Sequence, residues 1–151
     1  MNEIVSFLKR RRSVTAKVMK EGRVSDEHLK NIIECGMRVP DHGALNPWKI
    51  IIIANEKRSE LGKKILAVEF KKSNPNANEE ELKFESRRFM RANVVLAIIS
   101  TPVKHPKIPK WEMELSSGAV CQNILIAAQS YNYACQWITE WYSYNKKCYL
   151  N

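Results

Sequence analysis

Apolar positions recur along this chain with two different periods. Ile4, Val5, Phe7 and Leu8 have helical spacing and predict a short amphipathic helix leading into Arg10, Arg11 and Arg12. Basic residues there complement the dipole of a helix C-terminus. Ser25 is an N-cap for a second helix, with Asp26 and Glu27 in its first turn. That helix carries Leu29, Ile32 and Ile33 on one face and ends near Gly36. The run 49–54 predicts a strand, and its continuous isoleucines predict burial on both faces. Residues 57–70 predict a helix, and the polar stretch 72–78, with Pro75, breaks it as the least ordered segment. A charged helix is expected over 79–91 and a second buried strand over 93–101. After a Pro-rich connection at 102–109 comes the longest helix, 111–131, with Leu115, Ala119, Leu125 and Ala128 among its apolar positions. Its small residues, Ser116 to Ala119, permit close packing, and 133–138 predicts a third strand. Helices alternating with apolar strands indicate a layered α/β or α+β fold. Three strands are few beside so much helix.

The loop from Arg38 to Trp48 is the most informative stretch. It holds Pro40, His42, Gly43 and Pro47 and feeds directly into the first strand. Each proline fixes its own φ and restricts the residue before it, so the loop is stiff. A stiff loop at the mouth of a core strand can hold a bound group. Arg11, Arg12 and Ser13 add a guanidinium fork and a hydroxyl able to clasp a phosphate. The plainer alternative for them is a solvated basic helix end. Arg38 could face a carbonyl or phosphate and His42 a ring heteroatom, or His42 has only a local partner. Trp137, Ile138, Thr139, Glu140 and Trp141 place two tryptophans around a polar pair, which shields a planar cofactor or simply packs a core. His28 and His105 read as surface positions.

Composition adjusts this picture modestly. The 151 residues suit one domain, and 44% hydrophobic content supplies a core. A formal net charge of +9 favours anionic partners, which makes a basic nucleic-acid-binding module one alternative. No recognition motif accompanies the charge, so nucleic acid is not the expected partner. No run is long enough to span a bilayer, so no membrane partner is expected either. The N-terminus lacks the pattern of a secretory signal. Cys35, Cys121, Cys135 and Cys148 form no C-x-x-C pair and no metal spacing with the histidines. They read as reduced thiols of a cytoplasmic protein with no metal site. There is no phosphate-binding glycine loop and no G-x-S-x-G elbow. Glu112 and Glu114 point to different helix faces, as surface charges do. No catalytic acid or base emerges.

Taken in order, five signposts resemble the nitroreductase family of flavin mononucleotide (FMN)-dependent oxidoreductases, and its small, compact branch in particular. They are Arg11-Arg12-Ser13, Gly36 to His42, Asn46-Pro47-Trp48, Ile108 to Glu112, and Gln136 to Trp141. The resemblance covers about Ile4 to Trp141. It implies an α+β fold, a three-layer α/β/α sandwich with a central mixed sheet. It further implies a homodimer binding FMN at its interface, with NADH or NADPH as donor and a nitroaromatic, quinone or similar small molecule as acceptor, in a ping-pong cycle. Carried over by position, Arg11, Arg12 and Ser13 hold the phosphate and ring edge, and Arg38 and His42 reach the cofactor from the partner subunit. Trp137, Ile138 and Thr139 line the flavin. Ala127, Ala128, Gln129, Ser130, Tyr131 and Asn132 match the segment linked to the nicotinamide cofactor. Some members carry an arginine where Ile138 stands, which implies one fewer cation for the flavin here. Family members continue through a further helix, another strand and a C-terminal segment. The resemblance therefore implies a single domain, 1–151, that is C-terminally incomplete and lacks its C-terminal strand. A truncated, inactive flavin-binding relative is the corresponding alternative.

Overall fold

A computed structural model describes residues 2–20 and 22–148. Helix α1 is Glu3–Arg10, and the Asn2 side chain caps it by accepting from the N–H groups of Ile4 (2.9 Å) and Val5 (3.3 Å). Helix α2, Asp26–Gly36, starts as expected under Ser25, whose Oγ accepts from His28 N at 3.1 Å. Strand β1 is Trp48–Ala54. Helix α3, Glu56–Leu61, runs through a π-helical stretch, Gly62–Leu66, into α4, Ala67–Ser73. Helix α5, Glu79–Ser86, opens on a capping box in which Asn78 Oδ1 accepts from Glu81 N and Glu81 Oε2 accepts from Asn78 N. Strand β2 is Val94–Ser100 and helix α6 is Lys110–Ser130. The two strands form a two-stranded antiparallel sheet. Among the described residues no helix is long and apolar enough to cross a membrane.

The helices and the two principal strands fall where the periodicity puts them, and the architecture is α+β. Four expectations are corrected. Residues 133–138 form no strand; their course is irregular, joined to the residues after α1 by one backbone bond from Val14 N to Cys135 O (3.1 Å). The isoleucines of β1 are not buried on both faces: only Ile53 is buried and Ile52 is 48% exposed, because a two-stranded ribbon covers little of its own surface. Leu115 is exposed on α6 instead of packed. The stretch 72–78 is well organised, since Lys71 Nζ donates to Ala77 O at 2.8 Å and the Ala77 methyl is buried.

The chain divides into two compact units. The first comprises Met1–Met19, Val24–Ile50 and Ile98–Trp137. Here α2 lies along α6, and Ile32, Ala127 and Ala128 form a core flanked by Ile124, Tyr131, Tyr133 and Cys135. The second comprises Lys20–Arg23, Ile51–Ala97 and Ile138–Asn151. Its fully buried Leu66 lies in the π-helical stretch. Gly62 begins that stretch against α5, with its Cα so close to the Ser86 carbonyl that an added Cβ would stand 2.0 Å from the oxygen.

Candidate functional site

The first unit holds most of the residues singled out above. Arg11 caps α1, donating its N–H to Phe7 O at 2.9 Å, and the chain then turns along the end of α6. Gln129 Nε2 donates to Arg12 O, and Ala16 N donates to Gln136 Oε1 at 2.7 Å. This binds Arg11, Arg12 and Ser13 to the C-terminal turn of α6. The Arg12 and Ser13 side chains are exposed, whereas Arg11 is drawn inward beside Cys135. Burial pushes the Cys135 thiol pKa up, and the Arg11 charge opposes that. Among the described residues, Arg11 Nη1 and Gln129 Oε1 are buried and have no hydrogen-bond partner. A buried donor of this kind is expensive to leave unmade, and it is rare in folded chains.

The rest of this α6 end is built for packing. Ala127 and Ala128 point into the core, and Ser130 Oγ donates back to Ala127 O at 2.8 Å. Tyr131 stacks on His28 at 4.1 Å between ring centroids, and its hydroxyl accepts from Asn31 Nδ2 at 2.9 Å. Asn132 ends the helix in the left-handed region at φ 61°. Trp137 is half exposed, with its ring over Gly118 on α6. His28, far from being an unremarkable surface residue, also bonds Tyr133 through Nδ1 at 2.9 Å. No periodicity signals a ring cluster between residues about a hundred positions apart in the chain.

The Arg38–Trp48 loop is stiff, but prolines supply only part of the stiffness. Gly43 (φ 78°), Ala44 (φ 51°) and Asn46 (φ 48°) all lie in the left-handed region. Asp41 Oδ2 accepts from Asn46 N at 2.6 Å and Asp41 O accepts from Ala44 N at 3.1 Å. From α6, Ser116 Oγ donates to Pro40 O at 2.9 Å, Ser117 Oγ reaches the buried Pro47 O at 2.9 Å, and Asn123 Nδ2 donates to Arg38 O at 2.9 Å. Gly43 sits so close to Ile108 that a Cβ would meet its Cδ1 at 2.8 Å. His42 finds a local partner, Glu112 Oε2, at 2.8 Å, and Arg38 is exposed. Glu112 and Gln129 are 17 residues apart on one helix, which is about 25 Å at 1.5 Å per residue. One subunit therefore does not bring His42 to the Arg12–Ser13 end.

Ile138 and Thr139 belong to the second unit, as does a charged cluster next to them. Arg88 donates twice to the buried Glu85, from Nη2 to Oε1 at 2.6 Å and from Nε to Oε2 at 2.9 Å. Trp141 Nε1 donates to the same Oε2 at 2.8 Å. Arg88 Nη1 also donates to Glu140 Oε2, and Arg91 Nη1 to Glu140 Oε1 at 3.4 Å. Burial pushes the Glu85 carboxyl up, but hydrogen bonds from Arg88 and Trp141 and the charges of Arg88 and Arg91 outweigh it and hold the pKa below the ordinary value. Glu85 holds Arg88 above its own ordinary pKa in turn. Two clefts of about 380 and 630 Å³ in this unit, one at Phe70, Trp141 and Tyr144 and one at Arg58, Lys63 and Met90, contain none of the anticipated site residues. All four cysteines are free thiols. No group of three or more metal-ligating side chains occurs among the described residues.

A model of the nitroreductase family matches residues 8–149. A Haemophilus influenzae protein named "Putative NAD(P)H nitroreductase" is 33% identical over 116 residues, which is 75% of this chain and 60% of that protein. An Escherichia coli K12 relative whose name carries the same description is 26% identical over 135 residues, 89% and 71% of the two chains. The chain thus spans 60% of the H. influenzae relative's length, less than two thirds. Among solved structures, a nitroreductase-like family protein from Bacillus cereus superposes with a TM-score of 0.78 at 22% identity, covering 98% of this chain and 75% of the other. A Bacteroides fragilis nitroreductase with bound FMN superposes with a TM-score of 0.61 at 18% identity, covering 87% and 66%. These structural likenesses establish the fold.

Proposed function

This chain belongs to the nitroreductase family, and from that premise we propose that it is an FMN-dependent oxidoreductase using NADH or NADPH. The observation that carries the reading is the unpartnered Arg11 Nη1, buried at the end of α1 beside Arg12 and Ser13. A phosphate oxygen supplies the acceptor this donor lacks, and the donor set of two guanidinium groups and a hydroxyl suits that anion. The residues present therefore fit the cofactor.

When bound, FMN would supply the redox chemistry, hydride and electron transfer between NADH or NADPH and a nitroaromatic, quinone or similar acceptor, in what we read as a ping-pong cycle. The chain binds and orients. Arg11, Arg12 and Ser13 hold the phosphate end. Gln129 fixes Arg12 through its carbonyl and leaves Oε1 for a ligand donor. Trp137, Ile138 and Thr139 line the ring, Trp137 supplying a broad apolar face that excludes water. The segment Ala127 to Asn132 gives the nicotinamide a rigid wall, because its alanines and Tyr131 are already locked in the core. No side-chain acid or base is required.

A homodimer is part of this reading. Ile4, Val5 and Leu8 on α1 and Trp111 and Leu115 on α6 are exposed apolar residues that a second copy would cover. The separation of His42 from the Arg12–Ser13 end also favours a site completed by Arg38 and His42 of a partner subunit. The reading is tested by adding FMN to the purified chain. Uptake of yellow absorbance that bleaches with NADH or NADPH and returns with a quinone is the expected result. A chain that takes up no FMN refutes it.

A further inference from the structure

Ile138 and Thr139 have neither helical nor strand geometry and make no backbone hydrogen bond among the described residues. Free backbone groups are what a ligand-lining segment needs, but their course must be fixed by something else. The two residues that follow are anchored through side chains. Glu140 is grasped by Arg88 Nη1 on one oxygen and by Arg91 Nη1 (3.4 Å) on the other. Trp141 is tied to Glu85 through its indole N–H and packs on Phe70 at 5.8 Å between centroids.

The grip is itself rigid. Glu85 occupies two Arg88 nitrogens, so that guanidinium cannot turn without breaking a buried pair. Arg88 and Arg91 both lie over the Phe84 ring, at 4.9 and 5.1 Å from its centroid. The cluster balances two carboxylates against two guanidinium groups. It leaves Arg91 Nη2 buried without a partner, so it is not the arrangement that satisfies every group best. Buried ion pairs of this kind are poor sources of stability when compared with apolar packing. What this one does supply is a fixed position for the backbone one residue before it.

We propose that Glu140, clamped by Arg88 and Arg91, is a positioning residue that sets the Ile138–Thr139 backbone for contact with the flavin ring. The inference rests on the reading that the chain binds FMN, and its test separates the two. The 151-residue chain is compared with E140Q, with R91K and with E60Q, a surface ion-pair control from the same unit. Without ligand, E140Q is expected to lower the amide NMR order parameters of Ile138 and Thr139 from about 0.85 to below about 0.6 while hydrogen-exchange protection of α5 is unchanged. With FMN, its Kd rises about tenfold, the equivalent of about one lost hydrogen bond, and the visible circular dichroism of the bound flavin changes. R91K, which keeps the charge, shows a smaller effect of the same kind, and E60Q shows none. Should E140Q fail to fold, R91K carries the same readouts. If wild type binds FMN and E140Q binds it equally with unchanged dichroism, the inference is overturned and the function stands. Unchanged order parameters at Ile138 and Thr139 in both variants overturn it as well. If wild type takes up no FMN, the function falls, and with it the flavin-facing role of Glu140, while the order parameters still decide whether the tether exists.

Discussion

Replacing Gly62 by alanine offers a direct test of how the second unit is packed. The new Cβ would stand 2.0 Å from Ser86 O and 3.0 Å from Ser86 C. Ordinary carbon–oxygen approaches are about 3.3 Å, so the methyl is more than 1 Å too close. The obstacle is backbone at the last residue of α5, and it cannot rotate away. Alanine favours helix over glycine by about 1 kcal/mol. Overpacking costs about 1–3 kcal/mol, and a clash with backbone belongs at the upper end. The net is a loss of about 2 kcal/mol, or a fall in Tm of about 4–8 °C for a chain of this size. Two other glycines calibrate the experiment. At Gly36 the added Cβ meets Ile124 Cγ1 at 2.5 Å, a side chain that can shift, so a smaller loss is expected. At Gly22 nothing lies within 4 Å and Tm should hold or rise slightly. Thermal unfolding followed by far-ultraviolet circular dichroism ranks the three. A Gly62→Ala chain melting at or above wild type would show that α5 does not press on the π-helical stretch as described.

Arg11→Ala removes the unpartnered buried donor, and loss of one charged hydrogen bond, about 1.5–3 kcal/mol, raises the FMN Kd about 10- to 150-fold in a fluorescence titration. An unchanged Kd would exclude Arg11 from the site. The depressed Glu85 pKa makes stability depend on pH in a definite direction. The folded state binds fewer protons there than the unfolded one, so the contribution is present above the unfolded value of about 4.3 and is lost as pH falls through the lower folded value. Tm should therefore drop steeply below about pH 4.3, and E85Q should flatten that limb while lowering stability at neutral pH. His42→Ala breaks an exposed pair with Glu112 and should shift stability by no more than about 1 kcal/mol. Its FMN affinity should nevertheless fall, and dilution to monomer should abolish the difference from wild type.

Much of the fold was legible because it is written in local patterns. Ser25 with Asp26 and Glu27 marks a helix start chemically, and the isoleucines of β1 and the aliphatic run of β2 mark strands by period and length. Residues 133–138 misled because β-forming side chains there meet no partner strand. Leu115 misled because helical periodicity says which residues share a face and nothing about what covers that face. The ordered site motifs were readable, yet what supports them was not. Ser116 and Ser117 looked like space-saving residues and are in fact the hydroxyls that fasten Pro40 and Pro47. The Glu85–Arg88–Glu140 cluster joins residues more than fifty positions apart, a distance over which no spacing rule operates.

The left-handed residues of the Arg38–Trp48 loop bear on how two subunits meet. Ala44 and Asn46 hold a conformation that an isolated chain seldom visits, and Asp41, Ser116 and Ser117 keep it in place within a single folded subunit. A docking partner would thus encounter His42 on a surface that is already ordered. Association would surrender little conformational entropy at this loop, and its rate would be governed by encounter and orientation, with no folding step to wait for.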